Sequence, residues 1–191
     1  MEDLSALKAK IARMQKELET VKNVVAFAGW VDADSVKKAK INEFGANLPG
    51  GQPYFFDKKG NMVFMSKSGP MNKKGRRKGS FGVTKPCRIP PRPTLRMTRS
   101  FNNAKWQQLA GNAANEIIAG KGTVRQNFLK LAAVMAQDIQ ETMINPGNYT
   151  PNSPLTVKRK GKNTPMRDSD TLLRSVVFAV KSRREVEGNV I

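Results

Sequence analysis

The side chains best placed for bond-breaking chemistry in this 191-residue chain are two close carboxylate pairs, Asp32 with Asp34 and Asp168 with Asp170. Two neighbouring carboxylates are the least that acid–base work or a hard cation requires. Nothing around them extends the set. There is no histidine, which removes the commonest general base and the commonest metal ligand. Cys87 is alone, so zinc sites of the Cys/His kind and an internal disulfide are both excluded. The 15 acidic residues are scattered, and the two pairs read as helix caps and turn residues. GKGT at Gly120 to Thr123 has the look of a phosphate loop. It lacks an upstream strand and a first glycine at the required spacing, so it reads as a helix break. The expectation is a non-enzyme with no catalytic, cofactor or metal site.

What remains is chemistry of adhesion. Lys and Arg number 34, for a net charge of +19, which favours an acidic partner: nucleic acid, an anionic membrane or an acidic protein surface. The charge is uneven. From Lys58 to Lys105 there are fourteen basic residues and no acid. Lys73, Lys74, Arg76, Arg77 and Lys78 place five cations in six residues, among glycines that keep the backbone loose. Lys158, Arg159 and Lys160 form a second run. Such runs grip phosphates without reading sequence, meet an acidic protein face, or stay solvated. No run of 18 apolar residues exists, so no membrane-spanning helix is expected, and the start of the chain is unlike a signal peptide. A lone cysteine fits a reducing assembly site.

These surfaces need a scaffold. Leu4, Leu7, Ile11, Met14, Leu18 and Val21 alternate in steps of three and four, which predicts a helix over residues 2–22 with a narrow apolar seam. The seam suits another helix, in a copy of the chain or in a partner, and equally suits the chain's own sheet. Val24 to Val31 is apolar and β-branched and predicts a strand. Asp34 or Ser35 then caps a short helix carrying Val36, Ala39, Ile41 and Phe44, ended by Gly45. Residues 46–88 read as an inserted arm. Its first half, Pro53 to Ser66, has Tyr54, Phe55, Phe56, Phe64 and Met65 on two runs around a polar turn, the pattern of a β-hairpin. Pro90, Pro91 and Pro93 force a stiff extended link. Two helices follow. The first spans 98–119, with Phe101, Leu109, Ala113 and Ile117 on one face and Trp106 beside it. The second is capped by Thr123, has a stripe of Val124, Phe128, Leu131, Met135, Ile139 and Met143, and stops at Pro146. Residues 148–164 read as loop. Asp168 or Ser169 caps one turn through Leu172 and Leu173, Val176 to Val180 is the last strand, and the chain frays from Ser182. The fold class is therefore α+β: a small antiparallel sheet against one or two long helices, with an N-terminal helix (1–23), a core (24–181) and a tail (182–191).

Three stretches in a fixed order carry a resemblance: VKKAKINEFG (Val36 to Gly45), the elbow IPPRPTLR (Ile89 to Arg96), and NSPLTVKRKGKNTPMRDSDTLLRS (Asn152 to Ser175). Over roughly residues 24 to 181 the chain resembles the neck and tail-completion proteins of tailed bacteriophages, the virion-morphogenesis group that joins head to tail. That group has Asn-Glu-Phe-Gly before the elbow, a long helical segment after it, and then a Pro, an Asp-Thr-Gly and a Leu leading into a strand. Here Asp170 stands where the group has a Gly, which would allow a positive φ. Asp tolerates that conformation less well, so the local turn is in question.

The resemblance implies a structural virion protein, assembled in the host cytoplasm, that forms a ring of six or twelve copies. It would contact portal or adaptor proteins on one side and tail proteins on the other, with no membrane partner. The N-terminal seam and the hairpin aromatics are its candidate oligomer and partner contacts. The hairpin would pair with a neighbour's sheet edge or fold back on its own domain. Lys73 to Lys78 and Lys158 to Lys160 are the candidates for an acidic neighbour or for the backbone of double-stranded DNA in the channel. A stand-alone, non-specific nucleic-acid-binding packaging protein is the rival expectation.

Overall fold

The computed structural model describes residues 4–50, 53–56, 62–64, 82–83, 85–167 and 170–187. The fold is α+β. Helix α1 (Leu4–Asn23) runs directly into strand β1 (Val24–Gly29), and helix α2 (Ala33–Phe44) follows. Strands β2 (Ala46–Leu48), β3 (Pro53–Phe56), β4 (Met62–Phe64), β5 (Gly82–Val83) and β6 (Cys87–Ile89) occupy the arm. Then come helices α3 (Thr94–Ile118), α4 (Val124–Ile144), α5 (Pro154–Lys160) and α6 (Thr171–Arg174), strand β7 (Val177–Ser182) and helix α7 (Arg183–Glu187).

The first and last strands meet. β1 pairs antiparallel with β7, Val24 opposite Ser182 and Gly29 opposite Val177, and this ribbon packs on α4. α3 and α4 form a helical hairpin whose turn is fixed by backbone geometry. Gly120 has φ 76°, Lys121 N–H donates to Glu116 O at 2.8 Å, and Gly120 N–H donates to Ile117 O at 3.0 Å. That pair of bonds is a Schellman stop, which uses glycine because it accepts the left-handed conformation without a Cβ clash. Three residues later Thr123 opens α4 with a reciprocal capping box to Gln126. The phosphate-loop lookalike is thus a helix stop followed by a helix start.

The apolar core joins Trp30, Ala136, Ile139, Met143 and Val176, with Val36, Ala39, Met166, Leu172 and Leu173 packed against it. Trp30 Nε1 donates to Leu172 O at 2.8 Å, so the buried indole keeps a partner. The third sequence stretch therefore supplies much of the packing under α2 and α4.

Several boundaries differ from expectation. The first strand ends at Gly29, because Trp30 turns into the core. α2 is capped by Asp32, whose side chain accepts from Ser35 N–H at 2.8 Å; Asp34 sits in the first turn paired with Lys38. α3 begins at Thr94. Its buried face is Thr94 and Thr98, continued at helical spacing by half-buried Trp106, Leu109, Ala113 and Ile117. Phe101, two turns on from Thr94, is 62% exposed. In α4, Val124, Ile139 and Met143 are buried while Phe128, Leu131 and Met135 are half-buried. Within 148–164 the chain forms α5, capped by Ser153, started by Pro154 and ended by Gly161 in the left-handed conformation. The last strand runs to Ser182, and Arg183 to Glu187 adds a helical turn beyond it.

The arm carries more sheet than a hairpin. β3 and β4 pair as expected, Tyr54 opposite Phe64 and Phe56 opposite Met62. β5 adds to the other side of β3. β2 and β6 pair at the base of the arm, Ala46 opposite Ile89, and bring its two ends together.

Candidate assembly surfaces

The elbow is locked by residues at the end of α2, 52 positions away in the case of Glu43 and Leu95. Arg92 N–H donates to Asn42 O at 2.5 Å, joining the end of α2 to the proline run. Gly45 has φ 74°, and a Cβ there would meet Ile89 O at 2.6 Å and Pro91 N at 3.1 Å. Only glycine fits on both counts. Glu43, with 8% of its side chain exposed, accepts from the backbone N–H groups of Leu95 (2.9 Å) and Arg96 (3.2 Å) and from Arg96 Nε (3.0 Å). Pro93 at the N-cap offers α3 no side-chain cap. The carboxylate of α2 therefore caps α3 from outside, where the helix dipole also favours negative charge. Arg96 closes the clasp by donating to Glu43 O at 2.7 Å, with its guanidinium 5.4 Å from the Phe44 ring.

The same elbow reaches the third stretch. Arg92 Nη2 donates to Asn152 Oδ1 at 3.1 Å, and burial lowers the guanidinium's pKa. Tyr149 Oη donates to Thr142 O at 3.0 Å and lies 3.1 Å from the Thr94 hydroxyl; burial raises its pKa. A second clasp ties α3 to α4. Asp138, 2% exposed, accepts from Lys105 Nζ at 2.6 Å and Trp106 Nε1 at 2.7 Å. Sequence reasoning missed Glu43 and Asp138. No local signal marks either: Glu43 lies near the end of α2, 52 positions before Leu95.

The Asp170 turn adopts the positive-φ conformation that Asp tolerates less well than Gly. Asp170 has φ 57°, and the Arg167 guanidinium meets its carboxylate with two bonds of 2.9 Å. That hydrogen bonding holds the Asp170 carboxyl below its ordinary pKa and raises the guanidinium's. Asp170 occupies the N-cap position of α6 without a side-chain cap bond. Asp168 and Ser169, expected as caps there, lie outside the described residues. Of the two acidic pairs, Asp32, Asp34 and Asp170 are thus each engaged in a cap, an ion pair and a clasp.

α1 has no buried residue. Leu4 is 64% and Leu18 59% exposed; Leu7, Ile11 and Val21 are exposed too, and Met14 is half-buried. The helix is held to the body by polar tethers. Arg13 donates to Gly122 O (3.2 Å), Glu17 accepts from Val124 N–H at the start of α4 (2.8 Å), and Arg183 donates to Lys22 O (3.1 Å). These contacts leave most of the apolar seam exposed.

The β1–β7 ribbon has two strands only, so among the described residues each has an outer edge with unpaired backbone groups. Phe178 on β7 is half exposed, and Lys181 lies 4.4 Å from the Phe27 ring. Tyr54, Phe55, Phe56 and Phe64 fall on β3 and β4. Met65, Lys73, Lys74, Arg76, Arg77 and Lys78 lie outside the described residues. Lys158 is exposed on α5, which also contains Arg159 and Lys160. No helix among the described residues is long and apolar enough to cross a membrane, and none of their acidic, Cys or His side chains cluster in threes as metal ligands would. No family model, curated protein or solved structure matches the chain.

Proposed function

We propose that this chain is a structural protein of a tailed-bacteriophage virion: the subunit of a ring at the head–tail junction, between portal or adaptor proteins and the tail, with no enzymatic activity. One observation carries the proposal. The three separate stretches by which the sequence resembles neck and tail-completion proteins are in mutual contact, through Asn42, Glu43 and Gly45 against the elbow and Arg92 against Asn152. Residues chosen only for their order in a sequence have no reason to meet; a shared architecture gives them one.

The exposed features fit adhesion. A two-stranded ribbon whose edges are both open among the described residues offers a neighbouring copy a backbone ladder, and an α1 seam with no buried residue offers a partner protein a helix face. Head-to-tail contacts of that kind close into rings. Labelled copies of the protein in purified particles test the proposal by electron microscopy. A ring at the neck with a fixed low copy number is expected; absence from finished particles overturns it. The charge of +19 supports a second function, non-specific nucleic-acid binding in packaging. That alternative requires purified protein to retard duplex DNA at low salt and to release it steeply as salt rises.

A further inference from the structure

α1 and the end of α3 enclose a groove of about 370 Å³ that neither the elbow nor the sheet uses. Its walls are Ala9 and Met14 on one side and Ile117, Ile118 and Ala119 on the other. Small side chains at Ala9 and Ala119 leave room for an incoming group, and the Arg13 guanidinium lies over Gly120, 3.2 Å from where a Cβ would stand. Ile118 is 57% exposed, although its neighbours are apolar. Leu7 and Ile11 share the flank of Met14 at steps of four and three, and both are exposed.

The rim is cationic. Lys10 and Arg13 line the groove, and no acidic side chain among the described residues does. The nearest acids in sequence are engaged elsewhere: Glu17 caps α4 and Glu116 pairs with Lys130. Arg13 spends one N–H on Gly122 O and keeps others, since a guanidinium carries five. Lys10 has no ion-pair partner among the described residues.

We propose that this groove docks an acidic amphipathic helix of a partner protein. Apolar side chains one turn apart enter between Met14 and Ile118, and flanking carboxylates meet Lys10 and Arg13. Charge selects the occupant. A chain of +19 is a poorer match for the rim of Lys10 and Arg13 than an acidic helix is. The groove has no converging polar groups to orient a small molecule, whereas apolar anchors within a charged rim are how helices dock in grooves. Its chemistry is the same whether the chain sits in a ring or alone, so the inference goes beyond the function proposed above.

The probe is a synthetic peptide of about fifteen residues, with Leu at positions i, i+3, i+4 and i+7 and Glu at most others, the span of a helix-in-groove ligand. Its control has the same composition, scrambled so that no apolar face forms. Fluorescence anisotropy on the full chain should show the patterned peptide binding at least about tenfold tighter than the scrambled one. Amide NMR shifts should concentrate at Ala9 to Met14 and Ile117 to Gly120. Ile118→Ser, at an exposed site that leaves the core intact, should weaken binding about tenfold, and Lys10→Glu by about threefold or more. Equal binding of the two peptides, or no loss in either variant, overturns the proposal, because binding is then diffuse attraction to a basic surface. It also falls if Ile118→Ser abolishes self-association in sedimentation while leaving peptide affinity unchanged; the occupant is then a second copy.

Discussion

Removing the Glu43 carboxylate should cost this fold more than removing the arginine that pairs with it. In Glu43→Ala the Leu95 and Arg96 N–H groups, held at 2.9 and 3.2 Å, lose their acceptor, and Pro93 cannot replace it. Loss of a helix cap is worth about 1 kcal/mol. Leaving part-buried donors that had bonded a charged acceptor adds up to roughly 2 kcal/mol. The salt bridge itself contributes little, since the Arg96 side chain is 62% exposed and water screens it. The sum is at most about 3 kcal/mol, or a fall in Tm of roughly 6–12 °C for a domain of this size. Glu43→Gln keeps one acceptor oxygen without the charge and should lose about 1 kcal/mol. Arg96→Ala should also lose about 1 kcal/mol, from the bond to Glu43 O and the contact with Phe44. Urea denaturation followed by circular dichroism gives the three values directly. If Arg96→Ala destabilises as much as Glu43→Ala, the ion pair outweighs the cap and the reasoning is wrong. A loss under about 0.5 kcal/mol for Glu43→Ala refutes it as well.

Two further outcomes follow from the other clasps. Asp138→Ala strands the Trp106 indole N–H and should destabilise by about 3 kcal/mol, with a shift in tryptophan emission, whereas Lys105→Met should cost about 1 kcal/mol because the lysine is half exposed. The Asp170 carboxyl is depressed by its hydrogen bond from Arg167, so its contribution is complete above the ordinary aspartate value of about 4 and is lost as pH falls through the lower, folded one. Carboxyl-carbon NMR should show Asp170 titrating lower in the native chain than in Arg167→Met; identical titration in both sinks the clasp.

What the sequence made legible was local. Thr123 with Gln126 three residues on, Gly120 before it, and Pro146 after it announce α4 at both ends, because caps and stops act within one turn of backbone. The α+β class and the β3–β4 pairing were equally readable, since alternation and turn chemistry are short-range. α5 was readable and went unread: Ser153-Pro154 is a cap followed by the first helical residue, and Gly161 is its stop. Phe101 shows the opposite failure. Apolar identity placed it on the inner face of α3, yet it is exposed, while Thr94, bonded to Tyr149, and Thr98 take the buried positions. What could not be read were partnerships across distance. Nothing near Glu43 says that its donors lie at Leu95 and Arg96, and nothing near Asp138 names Trp106.

Those long-range bonds also explain how a polar elbow fixes the direction of a 25-residue helix. Three prolines stiffen the link but cannot aim it, because proline sets φ and leaves ψ to its surroundings. The aim comes from Glu43 on the first N–H groups of α3, from Arg92 bonded to both Asn42 and Asn152, and from Gly45, whose missing Cβ lets the proline run approach. α3 in turn carries Asp138's partners to α4, and α4 carries the β1–β7 ribbon and the N–H that holds Glu17 of α1. An error in the elbow is therefore passed along α3, which spans about 37 Å, to the groove at its far end. A Glu43 variant that still folds should disturb the amide signals of Ile117 to Gly120 as well as those of the elbow, although none of these residues touches Glu43. Confinement of the shifts to residues 42–45 and 89–97 would mean that the elbow and the groove are independent, and that the clasp contributes stability without setting the geometry of the docking surface.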